Sequence, residues 1–257
     1  MIFTVKKNEE VSLIKKSFNV VFVAMVLIAI MWSFLLAISD SLDFSFIGNF
    51  KDRIWQGFWM TLSLSLMSLV LSLILGVTAA VCQNSGILPL KYLALVYVKI
   101  IRGTPLIMQI YLFYYIIGTA WGVDNRFISG VIILSVFEGA YISEIIRGSL
   151  LGIDSIQIEA AKAVGFNKNQ TIKHVIMPQL LARTVPALTG QFASIVKDSS
   201  LLSTIAVIEL TQTMREISAD NFKLFECYMF LGILYLCITM PLSLISDKLE
   251  SRFDYEN

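Results

Sequence analysis

Apolar residues run through this chain in long unbroken blocks. Residues 17–39, between Lys16 and Asp40, are 23 consecutive uncharged positions, and residues 54–90, between Arg53 and Lys91, are 37. Two further blocks follow, of 21 residues between Arg102 and Asp124 and of 20 between Glu226 and Asp247. A helix of about 20 apolar residues crosses a hydrocarbon core. Each block therefore predicts a membrane span, and the second, over 55–80, ends in the turn signals Gln83-Asn84-Ser85-Gly86 and Pro89. Spans near 127–146 and 186–208 are interrupted by Glu138 and Glu144 and by Lys197 and Asp198. The pattern predicts an all-α, polytopic membrane helical bundle of six transmembrane helices.

Composition agrees. The chain is 56% hydrophobic and only 15% charged, with mean hydropathy +0.75, too few charges for a water-facing surface. A net charge of +1 offers no field for nucleic acid. Three scattered cysteines without ligand spacing and a single histidine, His174, argue against a Cys/His metal centre and a Ser-His-Asp site. No cofactor is expected. The pattern G-x-x-x-x-G-K-[ST] is absent, so the chain cannot hold a nucleotide by a P-loop.

Lysine and arginine set the expected orientation. If residue 1 is cytoplasmic, 14 basic residues fall in inner segments, including Lys91, Lys99 and Arg102, against 5 in outer ones, with Lys197 inside a span. Both termini are expected in the cytoplasm. The leader carries Glu9 and Glu10, and Ala37-Ile38-Ser39 is only weakly cleavage-like, so the first span reads as a retained helix rather than a signal peptide.

Residues 147–185 are too polar for the membrane. Ile156–Val164 favours helix, Gly165 suits the position just past a helix end, and Asn167 suits the cap of a second short helix that Pro178 limits. Two short helices joined at a glycine elbow present a small projecting surface without active-site chemistry.

These residues carry a resemblance. Glu159-Ala160-Ala161, Gly165 six residues after the Glu, and Ile176-Met177-Pro178 resemble the EAA signature of permease subunits of binding-protein-dependent ABC importers. Ile101-Arg102-Gly103-Thr104-Pro105-Leu106, Ala140–Ile145 and Leu188 through Lys197-Asp198-Ser199-Ser200-Leu201 resemble the polar amino acid subfamily. The resemblance implies a type I importer transmembrane domain over 51–257, with coupling segment 147–185, and an added cytoplasmic N-terminus and helix over 1–50. It implies that Glu159, Ala160, Ala161 and Gly165 seat in an ATP-binding subunit, two copies of which supply the energy. It also implies an extracytoplasmic solute-binding protein, and a second permease copy or a homologous permease. The substrate would be a polar amino acid moved by alternating access.

Ionisable residues inside spans are functional candidates because lipid makes them costly. Glu138 and Tyr141, three apart, share a helix face and can line a substrate pathway. Lys197 and Asp198, about 100° apart on a helix, need separate partners. They are candidates for the pathway, a gate or the dimer axis, with Ser199 and Ser200 beside them. Glu144 and Arg147 are expected to form a structural ion pair, and Arg102 and Pro105 an anchored helix start. Glu138 is equally well read as a carboxyl satisfied by a neighbouring helix. An importer for another small solute and a self-sufficient secondary transporter are the competing functions.

Overall fold

The computed structural model describes residues 12–37, 42–118, 120, 122–123 and 125–254. Glu9 and Glu10 of the leader and Ile38-Ser39 of the cleavage-like triplet lie outside the described residues. The chain divides into two compact units, Met1–Asp43 and Phe44–Asn257. The first contains one helix, α1 (Leu13–Ala37), with no buried residue among its described side chains. Leu27 and Ile28 are among the many exposed apolar residues on it, a composition suited to a membrane environment.

The second unit opens with a short helix α2 (Phe46–Asn49), whose buried Phe46 packs edge-on against Phe230 at 6.1 Å. The long helix α3 (Lys51–Gln83) follows. Trp55 and Trp59 lie exposed near its start, the amphipathic aromatics that mark a membrane–water boundary. Its inner stripe is small or polar: Gly57, Thr61, Ser65, Ser68, Ser72, Gly76 and Ala79 are buried, while Leu66, Val70 and Ile74 face outward. Helix α6 (Arg126–Leu151) answers with buried Gly130, Ser135, Gly139, Ala140 and Ser143. A Cβ added at Gly76 would lie 2.5 Å from Ile142 Cγ2 and 3.0 Å from the Gly139 carbonyl oxygen. The two helices meet backbone to backbone. Lipid tails supply no hydrophobic drive between helices, so close packing of small residues holds such a pair.

Between them the chain makes a sharp break. Helix α4 (Leu88–Arg102) carries Pro89 in its first turn and buries Ala94, Val98 and Ile101. After Gly103-Thr104-Pro105 the chain bends by 109° into α5 (Leu106–Tyr111) and a π-helical stretch, Leu112–Gly118. The sequence predicts a plain span over 103–123; the structure instead joins α4 and α5 as one bent pair. Pro105 lacks an N–H and disfavours α geometry in the residue before it. A Cβ on Gly103 would come within 2.7 Å of the Lys99 carbonyl oxygen. Buried Gln109 then clamps the bend, its Nε2 donating to the Ile101 carbonyl at 2.8 Å and to Thr104 Oγ1 at 2.8 Å.

Helix α7 (Ser155–Ala163) and a single turn, α8 (Lys168–Thr171), follow α6. A π-helical stretch, Ile172–Ile176, leads directly into α9 (Met177–Asp198). Pro178 therefore does not limit the second short helix as the sequence predicts. It sits in the first turn of α9, just past a widened turn, where a missing N–H interrupts least.

Helix α9 unwinds into a 3-10 segment, Ser199–Ile205, ending at Ala206 in the left-handed region (φ 56°). Helix α10 (Leu210–Asn221) starts from buried Glu209, whose side chain accepts the Thr211 and Gln212 N–H groups at 2.8 Å each and the Tyr235 hydroxyl at 2.9 Å. Helix α11 (Leu224–Asp254) closes the unit. Four described helices (α1, α3, α6 and α11) are long and apolar enough to cross a membrane, and the bent pair α4–α5 makes five. Helix α9 is long enough but too polar to join them.

Candidate functional site

Three places in the second unit gather the polar chemistry. The first is the elbow. The Asp154 side chain caps α7 by accepting the Ile156 N–H at 2.9 Å. At the other end Gly165 takes φ +86°. Its N–H donates to the Lys162 carbonyl at 3.0 Å, and the Phe166 N–H donates to the Ala161 carbonyl at 3.0 Å. This double closure needs a left-handed residue at Gly165, which glycine occupies at least cost. Asn167 and Gln170 then form a reciprocal capping box, each side chain accepting the other's backbone N–H at 2.9 Å. The Gly165 elbow and the Asn167 cap agree with the sequence; the Asp154 cap is found only in the structure.

What the elbow presents differs in detail from the expectation. Glu159 and Ala160 are exposed, whereas Ala161 is buried within the chain. Ile156 and Val164, 67% and 73% exposed, lie four residues either side of Ala160 and complete one apolar stripe beside Glu159. Their i, i+4, i+8 spacing is the sequence signal for this stripe, and the EAA signature does not include it. Two polar links tie the α6–α7 region to α9: the Gln179 amide donates to the Gln157 side chain, and the Arg183 guanidinium to the Gly152 carbonyl.

The second place lies near the end of α6 next to the elbow. Arg147 Nε and Nη2 donate to Glu144 at 2.7 and 2.8 Å, the expected i, i+3 pair. Arg102 joins it, donating to Glu144 at 2.9 Å, with its guanidinium 5.2 Å from the centre of the Tyr141 ring. Arg102 thus ends α4 rather than opening a span, and it ties the α4–α5 break to α6. Pro105 stands at the start of α5 in extended geometry. Tyr141 also packs on Phe137, with ring centres 5.0 Å apart.

The third is mid-bundle. Glu138 is fully buried, and one carboxyl oxygen accepts the Gln191 amide from α9. Its other oxygen, Oε1, is shielded from solvent and accepts no hydrogen bond among the described residues. The Asp198 carboxyl, at the last residue of α9, lies beside it. Two acidic groups 60 positions apart in sequence are thereby brought together. Gln191, an uncharged residue with no motif to mark it, is the side chain that orients one of them. Tyr141 stands one turn along α6, held by Arg102 instead of by Glu138. Lys197 is exposed and forms no ion pair among the described residues. Ser199 is buried, and its hydroxyl donates to the Val196 carbonyl at 2.7 Å, so it is locally satisfied. No group of three or more His, Cys, Asp or Glu suited to a metal ion occurs among the described residues.

The chain is similar in sequence and fold to known proteins. Residues 72–255 match the family described as binding-protein-dependent transport system inner membrane component. The glutamine transport system permease protein GlnP of Escherichia coli (strain K12) is 37% identical over 200 residues, 77% of this chain and 91% of that protein. The probable glutamine ABC transporter permease protein GlnM of Bacillus subtilis (strain 168) is 34% identical over 199 residues, covering 77% and 92%. A crystal structure of an amino acid ABC transporter with histidines superposes with a TM-score of 0.77 at 30% identity, over 83% of this chain and all of that one. A polar-lined bundle with a glycine elbow, matched by family, sequence and fold over the same region, makes this chain a member of the binding-protein-dependent transport system inner membrane components, as a permease of the ABC importer type.

Proposed function

We propose that the chain is the membrane-spanning permease of an ABC importer for a polar amino acid, working by alternating access and fed by an extracytoplasmic solute-binding protein. A pair of ATP-binding subunits grips the elbow, and a second copy or a homologous permease completes the pathway. Both termini are assigned to the cytoplasm, a reading that the distribution of lysine and arginine supports. The chain itself performs no covalent chemistry and needs no cofactor.

The observation that carries this reading is the exposed stripe Ile156-Ala160-Val164 beside Glu159, on a helix capped at both ends and braced to α9. Apolar side chains that project into water with no partner in the chain suit a groove on another protein. Glu159 suits a basic residue at its rim. Movement imposed on α7 passes through Gln157–Gln179 and Arg183–Gly152 to α9, whose far end carries Asp198. There the adjoining carboxyls of Glu138 and Asp198 receive the ammonium group of the substrate, with Tyr141 flanking the route. A ligand shifts the two access states only by binding them differently, and displacement of Asp198 relative to Glu138 supplies that difference.

The test is reconstitution of the permease with its ATP-binding subunits and binding protein. Glu159→Lys is expected to lower amino acid uptake at least tenfold at normal membrane levels while ATP hydrolysis continues. Unchanged uptake, or uptake by the permease alone on an ion gradient, overturns the reading.

A further inference from the structure

A cavity of about 590 Å³ opens at the end of the bundle opposite the elbow. Met60 of α3, Tyr114 of the π-helical stretch, Arg126 and Phe127 of α6, and Val207 and Ile208 after the left-handed turn form its walls. Its size falls among ligand sites, which run from about 300 to 1,000 Å³. Among these described walls Arg126 is the one charge; the rest is aromatic, thioether or aliphatic. Asn125 also lines the cavity, but its amide oxygen accepts the Ile128 N–H at 3.1 Å and is committed to capping α6.

We propose that this cavity is an entry site that takes the α-carboxylate of a free amino acid on Arg126, before the ammonium group reaches Glu138 and Asp198. The proposal rests on the permease reading above. A guanidinium fork pairs with a carboxylate in two parallel hydrogen bonds, and the α-carboxylate is the one anionic group that free neutral amino acids share. Tyr114 and Phe127 give flat walls for the remainder of the molecule.

The two sites act in sequence rather than together. Arg126 and Glu138 are 12 residues apart on α6, about 18 Å of helix at 1.5 Å per residue, too far for one amino acid to span. Between them on α6, Val131 and Leu134 are buried in an apolar core layer that also holds Leu202 and Ile205. The layer is part of the core and closes the way inward. A zwitterion halted at its outer side meets a cation, and one released past it meets two acids. The order of charges orients the substrate, carboxylate held first and amine handed on.

The test uses the complete complex in lipid nanodiscs, with Cys82, Cys227 and Cys237 replaced by serine and a reporter thiol introduced as Ile208→Cys, a 55% exposed wall position. Anionic and cationic methanethiosulfonates of similar size are the first probes. The anionic reagent is expected to react about fivefold faster, L-glutamine to slow it, and L-glutamine methyl ester, which lacks the carboxylate, not to. Arg126→Gln is expected to abolish both the charge preference and the protection, and Arg126→Lys to keep the preference. Equal rates for the two reagents, no protection by L-glutamine, or equal protection by the ester overturns the site. Uptake is measured separately, with the unsubstituted complex in proteoliposomes: uptake without thiol protection removes this site alone, and absence of any amino acid uptake there removes the permease reading.

Discussion

The α3–α6 seam and the α7 elbow use glycine to opposite ends. At the seam, Gly76 and Gly139 remove side chains so that two backbones can touch; a Cβ at Gly76 would overlap Ile142, and one at Gly139 would sit tightly against Leu75 and Tyr97. At the elbow nothing lies within 4 Å of a Cβ built on Gly165; what the glycine supplies is its positive φ. The first kind holds the bundle together and the second sets the angle of a projecting surface. Stability and coupling are therefore written into different residues, and single substitutions can separate them.

The largest effect is expected from Gly76→Ala. Its methyl group meets Ile142 Cγ2 at 2.5 Å, and overpacking of this kind costs about 1–3 kcal/mol. Thermal unfolding in detergent should show a clear fall in midpoint, with uptake and ATP hydrolysis falling together. Gly232→Ala on α11, where a Cβ meets nothing within 4 Å, should leave the midpoint in place. Equal effects from the two would erase the distinction drawn for the seam.

Gly165→Val comes next. A left-handed backbone costs an ordinary residue about 1–2 kcal/mol and a β-branched one more. The exposed elbow has room to rearrange and shed that strain, so the unfolding midpoint is expected to fall less than for Gly76→Ala while uptake per ATP hydrolysed drops about tenfold. A midpoint that falls as far as for Gly76→Ala would place Gly165 with Gly76. Gln109→Ala tests a position between the two: it deletes the clamp on the 109° bend, and hydrogen bonds of this kind contribute about 1 kcal/mol each. A modest loss of stability is expected, together with greater protease access at Gly103–Pro105.

The smallest change is expected at Arg53, which pairs with Glu216 at 2.7 Å and Asp220 at 2.9 Å. Its side chain is 41% exposed, and such pairs contribute about 0–1 kcal/mol. Arg53→Ala should shift the unfolding midpoint barely above error, and less at high salt.

Features held by neighbouring residues were legible in the sequence. The spans α1, α3, α6 and α11, the Glu144–Arg147 pair, the Gly165 elbow and the Asn167 cap each depend on composition or on contacts within a few positions. The count of six spans was not, because α9 is amphipathic and α5 is short and bent from α4. Gly103-Thr104-Pro105 held the signal for that bend, but Gln109, which clamps it, acts across eight residues on Ile101. Sequence reasoning finds Glu138 and Asp198 separately, as costly intramembrane charges. Their meeting, and the part of Gln191, depends on how α6 and α9 pack. Arg102 shows the same limit, since its pairing with Glu144 crosses 42 positions.

The polarity of α9 has a consequence for how the protein is made. Gln179, Arg183, Gln191, Lys197 and Asp198 all lie on it, and a charged residue at the centre of a helix entering the bilayer alone costs about 2.5–3.5 kcal/mol on insertion scales. Helix α11 packs along α9, where the Ser246 hydroxyl donates to the Pro186 carbonyl at 2.8 Å. During synthesis α9 leaves the ribosome before that cover exists. The cover that α11 gives to α9 is therefore completed only after both helices have been made.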